Sequence, residues 1–247
     1  KGNQLILTGE GETLYEKANY ILQYCTELQS DCFGLSRNKP PIRIGIPPML
    51  STVFFPELLT AFQKEYPDVP VMLEEYASVR ACNLVQNDSL DLALVNMEQY
   101  NIDKFHHALL ANDQVVFCVS KEHPLVRKEE ATIQDMAQIP LIFFNGDSVQ
   151  NQLLKIRFEL EGFTPHVLMH NSQIYTTLQF LKNNNCGCFL YSSMTDKFPD
   201  IVQLPLKPPL FIKIGMIWKK GKYISNDMQT FLNFTRKYYK DHPLIKE

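Results

Sequence analysis

From residue 42 onward the sequence keeps switching between two periods, and that switching narrows the folds open to it. Ile42 to Ile46 is an aliphatic run closed by Pro47 and Pro48, as expected of a strand covered on both faces. A helix follows from about Ser51 to Tyr66, with Ser51 or Thr52 as its cap and Phe55, Leu58, Leu59 and Phe62 along one face. Val69 to Leu73 reads as a strand, Ser78 to Gln86 as a helix and Leu90 to Val95 as another short strand. Val115 to Val119 is a further strand, followed by the loop Lys121 to Pro124. The pattern then resumes with strand Leu141 to Phe144, helix Asp147 to Glu161, strand Val167 to Met169, helix Gln173 to Lys182 and strand Cys188 to Tyr191. Last come a strand from Phe211 to Trp218 and a helix from Ser225 or Asn226 to Lys240, with Met228, Phe231, Leu232, Thr235 and Tyr238 or Tyr239 inward. Strands alternating with helices imply an α/β fold with parallel strands and right-handed crossovers. Two similar lobes in series are the simplest arrangement, with the runs near Val115–Ser120 and Ile212–Trp218 crossing between them.

Ahead of this body stands a different pattern. Leu7, Gly11, Leu14, Ala18, Ile21, Cys25, Leu28 and Cys32 alternate steps of four and three residues, which is a heptad seam. Thr8 is placed to cap the helix, and Glu10 and Glu12 sit in its first turn, where the dipole favours anions. A helix of about 24 residues spans about 36 Å. Its apolar stripe must dock on the body behind it or on another copy of itself. Phe33 to Pro41, with Gly34 and two prolines, reads as a hinge.

With 247 residues, 45% of them hydrophobic and 21% charged, the chain can bury a substantial core. A net charge of −3 leaves no bulk footprint for nucleic acid, so any DNA-contacting part lies elsewhere. The six cysteines sit mostly in apolar runs, which suits free thiols in a reducing compartment. No run approaches the roughly 18 apolar residues of a membrane span, and no secretory pattern is seen, so the cytoplasm is expected. A start at Lys1 rather than Met reads as that of a fragment.

Enzyme signatures are mostly missing: there is no G-x-S-x-G elbow, P-loop, G-x-G-x-x-G or H-E-x-x-H. No cofactor and no metal are expected. His106 and His107 are adjacent, so they diverge and do not suit joint ligation. Cys186-Gly187-Cys188 reads as a strand entry with small buried thiols, and Lys219, Lys220 and Lys222 as a solvated turn. The informative residues are polar helix starts that follow strand ends: Ser51 and Thr52, then Asn145, Gly146, Asp147 and Ser148, then Asn171 and Ser172. In open α/β sheets ligands lie beyond the carboxyl ends of strands, and helix N-termini attract anions. A cleft lined by these groups suits a small carboxylate or similar anion; equally, each residue could simply cap its own helix.

Leu7-Thr8 with Gly11 and Ala18, then Tyr66-Pro67-Asp68-Val69, Leu90-Asp91-Leu92-Ala93-Leu94, His123-Pro124-Leu125, Pro140-Leu141-Ile142 and Gly187-Cys188-Phe189-Leu190 occur in one order over nearly the whole chain. In that order they resemble the LysR-type transcriptional regulators. The resemblance implies a linker helix and a two-lobed effector-binding domain with the fold of periplasmic binding proteins. Its division would be residues 1–38 for helix and hinge, 39–119 with 211–247 for the first lobe, and 120–210 for the second. It implies a small, anionic metabolite as effector, with Ser51, Thr52, Asn96, Asn145 and Asp147 as cleft residues. It also implies DNA as a partner through a winged helix-turn-helix that this chain lacks, assembly as a homodimer or homotetramer, and RNA polymerase as a candidate further partner. Two departures are seen, Asp88-Ser89 where a glycine is common and Tyr191 where a proline is common, and neither is expected to carry chemistry. The reading is therefore a sensor and not an enzyme. The alternatives are a stand-alone solute-binding protein of the same fold, which would have no use for the seam, and a two-lobed transferase, for which no nucleophile or acid–base set is found.

Overall fold

A computed structural model of the chain describes residues 7–33, 39–98, 102–145, 148–183 and 185–243. The expected hinge lies largely on residues outside this set. The elements run α1 (Gly9–Phe33), β1 (Ile42–Ile46), α2 (Pro48–Val53), α3 (Phe55–Glu65), β2 (Val71–Glu75), α4 (Ser78–Gln86), β3 (Leu92–Asn96) and β4 (Phe105–Ser120). They continue with β5 (Ala131–Thr132), α5 (Ile133–Ala137), β6 (Leu141–Phe143), α6 (Val149–Leu160), β7 (Val167–His170), α7 (Ile174–Asn183), β8 (Gly187–Tyr191), α8 (Ser192–Thr195), β9 (Ile201–Lys219) and α9 (Asn226–Asp241).

The strands form a sheet in the order β2-β1-β3-β9-β4-β8-β6-β7, with β5 attached to β9. β1 lies parallel to β2 and β3, and β6 lies parallel to β7 and β8. Between these parallel groups run β4 and β9, antiparallel from Phe105 opposite Lys219 to Ser120 opposite Ile201. Each lobe is therefore built on one end of the same two long strands. The register shifts between Val115 and Val116, where β9 steps aside so that Leu206 and Lys207 pair with β5. Two lobes simply in series do not describe this chain, because β9 pairs with β3 and α9 packs back on α3.

That packing is aromatic. Phe62 meets Phe231 and Phe234 edge-on at 4.9 and 5.3 Å, and the Tyr239 hydroxyl donates to the Phe54 carbonyl at 2.6 Å. In α9 the inward residues are Met228, Phe231, Leu232, Thr235 and Tyr239, and Ser225 caps the helix by accepting the Met228 amide. In the second lobe Phe117, Phe143 and Phe189 form a ring cluster, and a Cβ at Gly187 would collide with the edge of the Phe117 ring at its Cζ.

The helix after β1 starts earlier than its sequence suggests, and Ser51 and Thr52 do not cap it. Pro47 takes the cap and Pro48 the first turn, where a missing N–H costs nothing. Both hydroxyls instead donate back to the Pro48 carbonyl, at 2.8 and 3.0 Å. The lysine turn is also less solvated than expected. Lys222 Nζ reaches Asp91 at 2.8 Å, Lys219 pairs with Asp88, and Lys220 donates to the Asp103 carbonyl. Asp88 occupies the left-handed region at φ 63°, which accounts for glycine being at ease in that place.

In α1, Thr8 Oγ1 accepts the Gly11 amide at 3.1 Å, the expected cap. Leu14, Ile21 and Leu28 of the seam are 65–69% exposed, so this chain's own body leaves the stripe uncovered. Another side of α1 meets the turn after β9: the Tyr24 and Tyr223 rings lie 5.6 Å apart, and Tyr20 borders Gly221.

Candidate functional site

A cleft of about 230 Å³ opens where the carboxyl ends of β1, β2 and β3 face those of β6, β7 and β8. From the first lobe it is lined by Pro48 and Met49 after β1, Glu75 to Ser78 and Arg80 around the start of α4, and Asn96 at the end of β3. The second lobe supplies Asn145, Ser148 and Gln150 before and within α6, Ser172 before α7, and Tyr191 at the end of β8. Every parallel strand thus hands over to a helix or turn at this edge, so free amides and positive dipole ends converge there.

Two of the lining residues are buried amides, each with one unmet group. Asn96, 2% exposed, accepts the Glu98 amide with Oδ1 at 3.0 Å, while its Nδ2 lies beside the Tyr191 hydroxyl without a hydrogen bond of good geometry. Gln150, 1% exposed, donates Nε2 to the Phe189 carbonyl at 3.0 Å, which leaves Oε1 an acceptor with no partner among the described residues. Burial pushes the Tyr191 hydroxyl up, so it stays a neutral donor near pH 7. Arg80 brings a cation to the rim, its guanidinium 5.0 Å over the Tyr76 ring. Glu75 accepts the Ser51 hydroxyl at 2.5 Å. The lining therefore combines a guanidinium, helix starts and the Glu75 carboxylate, with the Asn96 and Gln150 amides buried in its walls. The guanidinium and helix starts suit an anionic group, and the amide side chains suit a hydroxyl on the same ligand.

Among the residues singled out by sequence, Asn96 and Asn145 line the cleft. Ser51 and Thr52 lie further along α2 and do not line it, although Ser51 holds Glu75, which does. Asp147 lies outside the described residues. Ser148 stands at the cap of α6 without making the capping bond and lines the cleft, whereas Asn171 caps its own turn by accepting the Gln173 amide. Sequence reasoning missed Arg80, Gln150 and Tyr191. Arg80 and Gln150 lie within one turn of helix starts, and that offset was the available signal. Tyr191, expected to carry no chemistry, is a wall of the site.

The other candidates resolve into structure. His106 on β4 lies across from Trp218 on β9, the tilted rings 5.8 Å apart, and Cys188 lies opposite Cys118 across the β4–β8 pair, both thiols buried. Burial pushes the Cys186 and Cys188 thiols up. Among the described residues no group of three His, Cys, Asp or Glu side chains is placed to hold a metal, and no helix is long and apolar enough to cross a membrane.

The LysR substrate binding domain family matches residues 36–240. The chain belongs to the LysR family. The Bacillus subtilis HTH-type transcriptional regulator YwbI is 28% identical over 207 residues, covering 82% of this LysR chain and 68% of the relative. The regulatory domain of CcmR from Synechocystis PCC6803, solved in complex with 2-PG, superposes with a TM-score of 0.73 at 18% identity, over 81% of this chain and 98% of its own. The effector binding domain of QuiR, in complex with shikimate, gives 0.71 at 20% identity, over 82% and 98%. The two-lobed fold like that of periplasmic binding proteins, expected from the resemblance, is the fold this LysR chain has.

Proposed function

We propose that the interlobe cleft binds a small hydroxylated organic anion, and that the chain uses this binding to report to a DNA-binding head as part of a transcriptional regulator in the cytoplasm. The observation that carries the reading is the meeting of Arg80 and several helix starts with the buried, unmet Asn96 Nδ2 and Gln150 Oε1 in one cleft. The complexes of CcmR with 2-PG and of QuiR with shikimate are in keeping with it. A ligand touching Asn96 and Arg80 on one lobe and Ser148 and Gln150 on the other favours the closed arrangement, to the extent that it binds that arrangement more tightly. Residues 39–119 with 211–247 would form one moving lobe and 120–210 the other. Residues 1–38 would pair with a second copy through the exposed stripe of α1, in a dimer or tetramer. The chain's role is binding and relay, with no chemical step.

A thermal-shift series of hydroxy-carboxylates and phosphorylated acids tests this. A ligand at 100 times its Kd adds about 2.7 kcal/mol, which moves the Tm of a chain of this size by about 5–10 °C. Arg80→Gln and Gln150→Leu should each lose most of that rise. An equal rise in both variants, or no rise with any anion, refutes the proposal.

A further inference from the structure

The interlobe cleft carries two opposite charges. Arg80 lines it from the first turn of α4, and Glu75 lines it from the last position of β2, opposite Ile46 of β1. No other Lys, Arg, Asp or Glu among the described residues is part of its walls. The two do not pair with each other, and among the described residues neither has a counter-ion: Arg80 has the Tyr76 ring, and Glu75 has the Ser51 hydroxyl. Elsewhere on the surface exposed acids do find lysines, as Glu57 does in Lys197, Glu98 in Lys213 and Glu130 in Lys207. The Glu75 carboxylate is nevertheless held in place. The Ser51 hydroxyl lies 2.8 Å from the Pro48 carbonyl and 2.5 Å from Glu75 Oε1, which fixes the carboxylate beside the start of α2, where Pro48 and Met49 also line the cleft. Its Oε2 has no partner among the described residues, and a carboxylate can accept several hydrogen bonds.

A ligand that fills the cleft takes water from both charges, and a charge that loses water without gaining a partner is costly. A simple anion would pair with Arg80 but leave Glu75 dehydrated and beside a like charge. A simple cation would do the reverse. A ligand with one group of each sign satisfies both residues at once. We propose that the ligand of this cleft is an organic acid that also bears a protonated amine, an amino acid or a close relative of one, with its carboxylate toward Arg80 and the helix starts and its ammonium on Glu75. The inference rests on the reading of the cleft as an anion site and refines it. The anionic end keeps its place, and Glu75, oriented by Ser51, becomes the residue that tells an amino acid from the hydroxy acid of the same skeleton.

Isothermal titration calorimetry with the standard amino acids, each beside the 2-hydroxy acid that has a hydroxyl in place of the ammonium, tests the proposal. Serine with glycerate, aspartate with malate and glutamate with 2-hydroxyglutarate are such pairs. At least one amino acid should bind about tenfold more tightly than its hydroxy partner. Glu75→Gln changes an exposed side chain, keeps an acceptor for Ser51 and removes the charge. It should erase the preference, weakening the amino acid about tenfold while the hydroxy acid binds equally or better. Arg80→Gln should weaken both members of the pair. Hydroxy acids that bind while no amino acid binds more tightly overturn the proposal and leave the anion site standing, whereas no binding in either series overturns the proposal and counts against the anion site as well. An amino acid whose affinity is unchanged in Glu75→Gln, or an equal loss there for both members of the pair, also overturns it.

Discussion

Replacing Asp91 by asparagine should loosen the joint between the first lobe and the turn on which α1 rests. The Asp91 carboxylate accepts the amide, Nε and terminal nitrogen of Arg43 at 2.9, 3.1 and 2.8 Å, and Lys222 Nζ at 2.8 Å. The side chains of Asp91 and Lys222 are 14% and 13% exposed, so water replaces little of this pairing, while Arg43 at 36% is partly wet. The asparagine keeps the shape but leaves two cations facing a neutral amide. Breaking a fully buried pair costs about 3–5 kcal/mol, and discounting for the wet guanidinium leaves about 2–3 kcal/mol. At about 2–4 °C per kcal/mol in a chain of this size, Tm should fall by about 4–12 °C.

The pH dependence identifies the cause. Burial pushes the Asp91 carboxyl up, but Arg43 and Lys222 more than offset this and hold it below the usual range. A carboxyl depressed in the folded state stabilises above its unfolded pKa and loses that contribution as pH falls through the folded value. Urea unfolding at a series of pH values should therefore show the full gap between wild type and Asp91→Asn near neutrality, closing below about pH 4. A gap that stays constant from neutral to acid, or a variant within about 0.5 kcal/mol of wild type at neutrality, refutes the reasoning.

Other substitutions probe the rest of the frame. Asp113, fully buried on β4, accepts the Ser193 hydroxyl at 2.5 Å, and burial pushes its carboxyl up. The sign is opposite to that of Asp91: the folded state binds this proton more tightly, so stability falls as pH rises through the raised value, and Asp113→Asn should compare more favourably with wild type at neutral than at acid pH in the same urea series. Ile21→Glu in the uncovered stripe of α1 should leave Tm nearly unchanged while weakening self-association in sedimentation, and so should deletion of residues 1–38; a monomer indifferent to both contradicts the pairing role. Alkylation of the native chain should label exposed Cys25 at least tenfold faster than buried Cys188, by about the ratio their accessibility implies.

What could be read from sequence follows the reach of the forces involved. Ile42–Ile46 and Ser78–Gln86 coincide with their elements, because prolines close the first and a clear apolar face marks the second. β4 begins ten residues before Val115, in a stretch that includes His106, His107, Asn112 and Asp113, whose extended form is imposed by pairing with β9 a hundred residues away. The same distant pairing makes Ile201–Leu210, with three prolines and no strand pattern of its own, the first half of β9. Ser51 and Thr52 looked like caps because Ser and Thr cap helices, but two consecutive prolines hold those places more firmly. In the cleft, helix starts were legible and Arg80, Gln150 and Tyr191 were not, since only the facing of two lobes brings a surface arginine and a core amide to the walls of one cleft.

Hydrogen exchange of the chain with and without the anion that raises its Tm most tests the cleft directly. Bound anion should slow exchange on both walls at once, at the start of α4 around residues 76–80 and at the start of α6 around residues 148–152, and Arg80→Gln should remove both effects together. Protection confined to one lobe, or centred on His123 and α5 at the far end of the second lobe, would contradict an effector held between the lobes.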